Sequence, residues 1–278
     1  MRSNRGTWLV LAAGVVVTAL FVVRRAPAAA GAYVPSRGDE VLAEVMPRVV
    51  DAGSSPERAA AAAKQLIVAS RKSGGDPRLL GRAQAVLAPW WAEASVPPSV
   101  RLMRATLKQS QHDFEGSLAD LDVLVKEDPT DAQAWLTRAT VLQVLARYDE
   151  AMQSCGALVP LVSEETAAVC RAPLLALTGR SEEAVQAVAQ FNAPWALSVK
   201  GELLRWRGDE AGAQVALKQA LSADPDDSYT RLLLAESLRV SGKGKEVAAV
   251  FAGRQLNDAE LLSLVLTQGG ETEEKNEL

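Results

Sequence analysis

Histidine and cysteine are nearly missing from these 278 residues: His112 is the only histidine, and Cys155 and Cys170 are the only cysteines. Hydrolytic and metal-dependent sites need converging histidine, cysteine or carboxylate side chains. One histidine at an expected inter-helix turn, and two cysteines without histidine neighbours, supply no such set. The sequence also lacks a glycine-rich phosphate loop and a nucleophile elbow. Aromatic residues are sparse at 5%, although six of them are tryptophans. Net charge is −4 and the basic residues form no continuous stripe, which argues against a nucleic-acid partner. An acid-rich stretch, with Asp113, Glu115, Asp120 and Asp122, reads as a solvated helix face. These absences lead us to expect no enzyme, no cofactor and no metal.

What is present begins with an uncharged apolar run, residues 7–23, flanked by Arg2 and Arg5 before and Arg24-Arg25 after. As a helix it would span roughly 25 Å at 1.5 Å per residue, close to the ~30 Å of a bilayer core. Two readings compete. One is an uncleaved anchor; the other is a signal peptide cut near Ala26-Pro27-Ala28 or Ala28-Ala29-Ala30. The length of the run and the arginine pair after it favour the anchor. No cysteine follows the run, so a lipoprotein is not indicated. Both readings put the rest of the chain outside the cytoplasm. The expected place is the bacterial inner membrane, single pass, with the remainder in the periplasm; the alternative is export after cleavage. The expected divisions are 1–25 anchor or signal, 26–37 tether, 38–97 leading helices, 98–256 repeats, 257–268 a closing helix, and 269–278 a disordered acidic tail.

The repeats emerge when units are counted from Pro98, Ala132, Glu165, Pro194 and Ser228. The eighth residues are then Ala105, Ala139, Ala172, Gly201 and Ala235, all small. Small residues suit a point where two helix axes approach to roughly 8–10 Å. The twentieth residues are Ser117, Ala151, Ala184, Ala213 and Val247. The fifteenth are His112, Ala146, Gly179, Gly208 and Gly242, where a turn is expected. Asp128-Pro129 and Asp224-Pro225 mark matching unit ends, and Asp131 and Asp227 are placed to cap the next helices. The third unit is short, and Phe191-Asn192-Ala193-Pro194 cuts its second helix off early. Upstream, Ser55-Pro56 reads as a helix start with a capping serine, and Asp76-Pro77 opens a second helix ending near Pro89. Trp90-Trp91 are expected to close these leading helices onto the first unit. Asn257-Asp258 starts a last amphipathic helix.

Within the second unit, Trp135, Ala139, Tyr148 and Ala151 have the spacing of a tetratricopeptide repeat, a helix–turn–helix unit of roughly 34 residues. Residues 98–256 resemble that family. The resemblance implies an all-α, right-handed α-solenoid, here preceded by the N-terminal transmembrane or signal helix. It also makes Trp135 a core tryptophan. It implies a concave groove lined by the first helix of each unit, at its second, fifth, ninth, twelfth and thirteenth residues. Groove candidates are Leu102, Gln109, Leu136, Thr140, Gln143, Trp195, Glu202, Arg205, Trp206, Tyr229, Glu236 and Arg239; Thr166, Val169 and Pro173 hold matching places in the third unit. The Lys and Asn clamp with which some relatives hold a C-terminal carboxylate is missing, since Leu102, Thr106, Leu136 and Thr140 stand there. Cys155 and Cys170 fall on helices that pack together in such a stack. They would form either a disulfide, closing a loop of about 15 residues and worth roughly 3 kcal/mol, or two buried thiols. The implied function is a scaffold or assembly factor that holds an extended or helical segment of another protein. The alternatives are a self-associating structural membrane protein or a small-ligand binder. The sequence leaves the partner and the oligomeric state open.

Overall fold

The computed structural model describes residues 55–73, 75–253, 256–257 and 259–267, all within one unit, Val50–Leu278. The expected membrane helix, the tether and the acidic tail lie outside the described residues. Among the described residues no helix is long and apolar enough to cross a membrane.

Helices follow one another as antiparallel pairs. The leading pair is α1 (Pro56–Lys72) and α2 (Pro77–Leu87), closed by a 3-10 turn over Ala88–Trp90. Five further pairs follow: α3 (Pro98–Ser110) with α4 (Phe114–Glu127), α5 (Ala132–Val144) with α6 (Tyr148–Leu158), α7 (Glu164–Leu177) with α8 (Ser181–Val188), α9 (Pro194–Trp206) with α10 (Glu210–Ala223), and α11 (Ser228–Val240) with α12 (Gly244–Phe251). Residues 259–267 form a last helix, α13. From α1 to α10 each helix packs on its partner and on the next pair, and α11 packs on α12, which is the architecture of an α-solenoid.

Local chemistry explains the boundaries. Asp131 accepts a hydrogen bond from the Ala134 amide and Asp227 from that of Thr230, so both cap as expected. Asp76, Asp113 and Asp209 cap α2, α4 and α10 in the same way. Ser55 departs from expectation: its hydroxyl donates to the Glu57 carboxylate at 2.7 Å and caps no amide. Pro56 alone preorganises that first turn. Trp135 also departs, since it is half-buried and not a core residue. Its indole donates to the Pro129 carbonyl at 2.8 Å, and Arg138 lies over its ring.

The eighth and twentieth residues of every unit are buried where the paired helices meet. Gly201 shows how close that approach is: a Cβ there would stand 2.5 Å from Cγ of Leu217. All five fifteenth residues take positive φ, including His112 at 63° and Ala146 at 57°. The left-handed region costs a residue with a Cβ roughly 1–2 kcal/mol. Glycine avoids that strain and gives back part of the gain as chain entropy. Ala146→Gly is therefore expected to stabilise the fold by about 0.5–1 kcal/mol, read as a higher denaturation midpoint; a lower midpoint would refute the strain.

Asp113, Glu115 and Asp122 are exposed, as the solvated helix face expected of the acidic stretch requires, but Asp120 is not. Asp120 is only 4% exposed. It accepts from Arg104 Nη2 at 2.5 Å and from Lys108 Nζ at 2.9 Å, and Arg101 approaches to 3.7 Å. Arg104 Nη1 also donates to the carbonyls of Trp90, Trp91 and Glu93. This network, with Trp90 and Trp91 packed on the first core cluster, ties the leading pair to α3 and α4.

The third unit is short, as expected. Its second helix, α8, ends at Val188, and α9 packs against α7 as well as against α8. Cys155 of α6 and Cys170 of α7 are joined by a disulfide, with Cα atoms 5.6 Å apart.

Candidate functional site

Three first helices, α5, α7 and α9, face a common cleft of about 390 Å³. From α5 it is lined by Leu136, Ala139, Thr140 and Gln143, from α7 by Thr166, Val169, Cys170 and Pro173, and from α9 by Trp195. None of the nine side chains is charged. Trp195 is 44% exposed, so it offers a large apolar face at the edge of a concave surface. Thr140 spends its hydroxyl on the Leu136 carbonyl at 3.0 Å, and Thr166 shares a hydrogen bond with Ser163. Gln143 contributes an amide to the lining. Pro173 lies inside α7 and has no N–H for the carbonyl of Val169, one turn earlier. That carbonyl is left without its usual helical donor, in a stretch where both residues line the cleft.

The structure brings Leu136, Thr140, Gln143 and Trp195 together but separates the other candidates from them. Leu102 is half-buried against the core cluster of α3 to α7. Gln109 is half-buried near the end of α3 and does not line the cleft. Trp206 is 38% exposed at the last residue of α9 and also lies outside the lining. Residues eleven apart in a helix fall on nearly the same face, yet of Trp195 and Trp206 only the first lines the cleft. Ala139 and Cys170 were read from the sequence only as packing and bonding residues, and the structure adds them to the lining.

The remaining candidates form a charged patch on α9 and α11. Burial raises the Glu202 carboxyl above its usual range, against the opposing effects of a Tyr229 hydrogen bond and the Arg205 charge. Tyr229 is pushed well above the ordinary phenol range, first by desolvation and then by the Glu202 charge. Arg205 approaches Glu210 at 3.6 Å, and its Nε is buried without a hydrogen-bond partner. Glu236 and Arg239 pair at 2.6 Å one turn apart, and the Arg239 hydrogen bond holds Glu236 below its usual range. Glu202 and Glu236 balance Arg205 and Arg239, so the patch carries no net charge to select an ionic partner. Among the described residues no group of histidine, cysteine and carboxylate side chains could hold a metal ion.

No protein-family model matches the sequence, and no curated protein matches it. Solved structures do resemble the fold. A thermophilic tetratricopeptide repeat protein of Thermus thermophilus superposes with a TM-score of 0.57 at 16% identity, over 66% of this chain and 99% of that one. A tetratricopeptide repeat protein of Parabacteroides merdae superposes at 0.50 and 16% identity, over 77% and 89%. The Cut9–Hcn1 hetero-tetramer of the APC/C contains a chain that superposes at 0.53 and 14% identity, over 76% of this chain but 43% of that one. At such identities the likeness concerns the fold alone, and that fold is an α-solenoid of tetratricopeptide type.

Proposed function

We propose that this chain is a non-catalytic binding protein whose cleft between α5, α7 and α9 holds an apolar segment of another protein. The observation that carries the reading is the lining itself: three successive first helices, nine residues, no charge, and an exposed tryptophan at the rim. Pockets of this kind bind by apolar burial, while a few polar groups set orientation. The amide of Gln143 and the carbonyl of Val169 would orient a bound backbone. The charged patch on α9 and α11 would then flank the bound segment without setting its charge.

The second part of the proposal is location. We place the chain in the bacterial envelope, anchored through residues 7–23, with the solenoid outside the cytoplasm. The uncharged run supports this, and so does the Cys155–Cys170 bond, because disulfides persist where the compartment is oxidising.

Val169→Glu tests the cleft. A carboxylate on this wall must be desolvated when an apolar segment docks. On an array of 15-residue peptides, wild type is expected to prefer sequences with several large apolar side chains. The variant is expected to lose at least about tenfold in affinity, or ~1.4 kcal/mol, with its helical circular dichroism intact. Equal binding by both proteins would exclude the cleft as the site.

A further inference from the structure

Two polar groups in the cleft between α5, α7 and α9 lack a partner among the described residues. The first is the main-chain carbonyl of Val169. A helix carbonyl points along the axis toward the residue four places on, so this one points at Pro173. Proline has no N–H to donate, and its ring pushes that carbonyl off the axis. Both residues line the cleft, which puts the oxygen on its wall. The second is the side-chain amide of Gln143 on α5, which makes no hydrogen bond among the described residues. The other polar side chains there are already engaged, Thr140 with the Leu136 carbonyl and Thr166 with Ser163.

Water serves such groups while a cleft is open. An apolar segment that fills the cleft excludes that water, and a buried polar group left unsatisfied costs more than an ordinary hydrogen bond contributes. The segment must therefore bring a donor for Val169 and partners for Gln143. Its apolar side chains have none, so its backbone is the remaining source. In an α-helix the inner N–H groups are already given to carbonyls four residues back, and the outer surface offers side chains alone. An extended chain keeps its N–H and C=O groups free for a neighbour.

We infer, granting the cleft as the binding site, that it takes its partner as an extended segment whose main chain donates to the Val169 carbonyl. Pro173 is the residue that selects this mode, because it keeps that carbonyl free. Successive side chains of an extended chain face opposite ways, so large apolar residues enter the cleft at every second position. A helix with apolar residues three and four apart is the segment discriminated against. Proline is excluded at the donating position of the partner, since it lacks the N–H. Pro173 thus removes a hydrogen bond from α7 and leaves the cleft an acceptor.

The test uses the full chain and the tightest-binding peptide of the array. The peptide is N-methylated one residue at a time, and a second form is held helical by a hydrocarbon staple. Methylation at one position is expected to lower affinity by at least about tenfold, and stapling by a similar factor. Pro173→Ala is expected to return an N–H to α7 and raise the denaturation midpoint. It should nevertheless weaken the peptide and cut the effect of that methyl group below about threefold. Loss of apolar contact with the proline ring would weaken binding but leave the methyl effect at full size, so the two causes separate. Three results would each overturn the extended mode: a stapled peptide that binds as tightly as the free one, a methylation scan with no sensitive position, or a methyl effect unchanged by Pro173→Ala. In all three, an affinity still lowered by Val169→Glu keeps the cleft as the site. If Val169→Glu has no effect, the cleft and the extended mode fall together.

Discussion

Asp120→Ala is expected to lower the unfolding free energy by about 3–5 kcal/mol, the effect of removing one partner from a buried ion pair. The side chain sits against Arg104, Lys108 and Arg101, and all but Lys108 are as fully buried as Asp120 itself. Without the carboxylate these cations lose their counter-charge in a place that water does not reach. The damage should be local first, because a solenoid is held by contacts between neighbours. Arg104 also holds the carbonyls after α2, so hydrogen exchange should rise across residues 56–91 before it rises in α9 to α12. Acid should mimic the variant. Burial pushes the Asp120 carboxyl up, but hydrogen bonds from Arg104 and Lys108 and their charges outweigh it, so the group titrates below the ordinary aspartate value. A lowered value means that the stabilisation is complete above the unfolded-state pKa and is lost as pH falls through the folded one. Wild type should therefore lose stability on acidification more steeply than Asp120→Ala. A variant with wild-type stability, or with an unchanged acid limb, would contradict this account of the network.

Reduction of the Cys155–Cys170 bond is expected to raise the intact mass by about 2 Da and to remove roughly 3 kcal/mol of stability, the contribution of a link closing a 15-residue loop. Cys170→Ser should reproduce the loss. The bond spans the junction between α6 and α7, and Cys170 also lines the cleft. Reduction should consequently weaken peptide binding along with stability. The same spectrum decides the N-terminus: a mass that includes residue 1 fits the anchor, whereas a mass beginning near residue 29 or 31 fits cleavage. An unchanged mass on reduction would remove the disulfide from the account.

Much of this fold is legible in the sequence because its constraints are local and repeat. Small residues from Ala105 to Ala235 recur wherever two helices touch, Asp131 and Asp227 recur at helix starts, and the left-handed turn recurs at each fifteenth residue. Asp120 was misread because its partners lie across a helix pair. Arg104 and Asp120 are the seventh and twenty-third residues of their unit, and in the next unit the same places hold Arg138 and Ser154, which also bond, at 2.7 Å. Comparing charges within the frame, rather than along the chain, would have exposed the pair. The site was legible only in part. A helical period places Trp195 and Trp206 on one side of α9 but says nothing of how α9 is turned against its neighbours. α9 contacts α7, as successive first helices do elsewhere in the stack, and of the two tryptophans Trp195 alone lines the cleft there. Pro173 had a place in the frame, but its missing N–H gains meaning only once Val169 is seen beside it in the wall.

The most direct measurement is photocrosslinking in cells from position 140, which is exposed on α5 and lines the cleft. Adducts would be mapped by mass spectrometry in the wild-type background and with Val169→Glu. The account predicts an adduct to one contiguous, predominantly apolar segment of another polypeptide, lost with Val169→Glu and kept with Trp206→Ala. An adduct that persists in Val169→Glu, or that disappears only with Trp206→Ala, would contradict the cleft as the binding site.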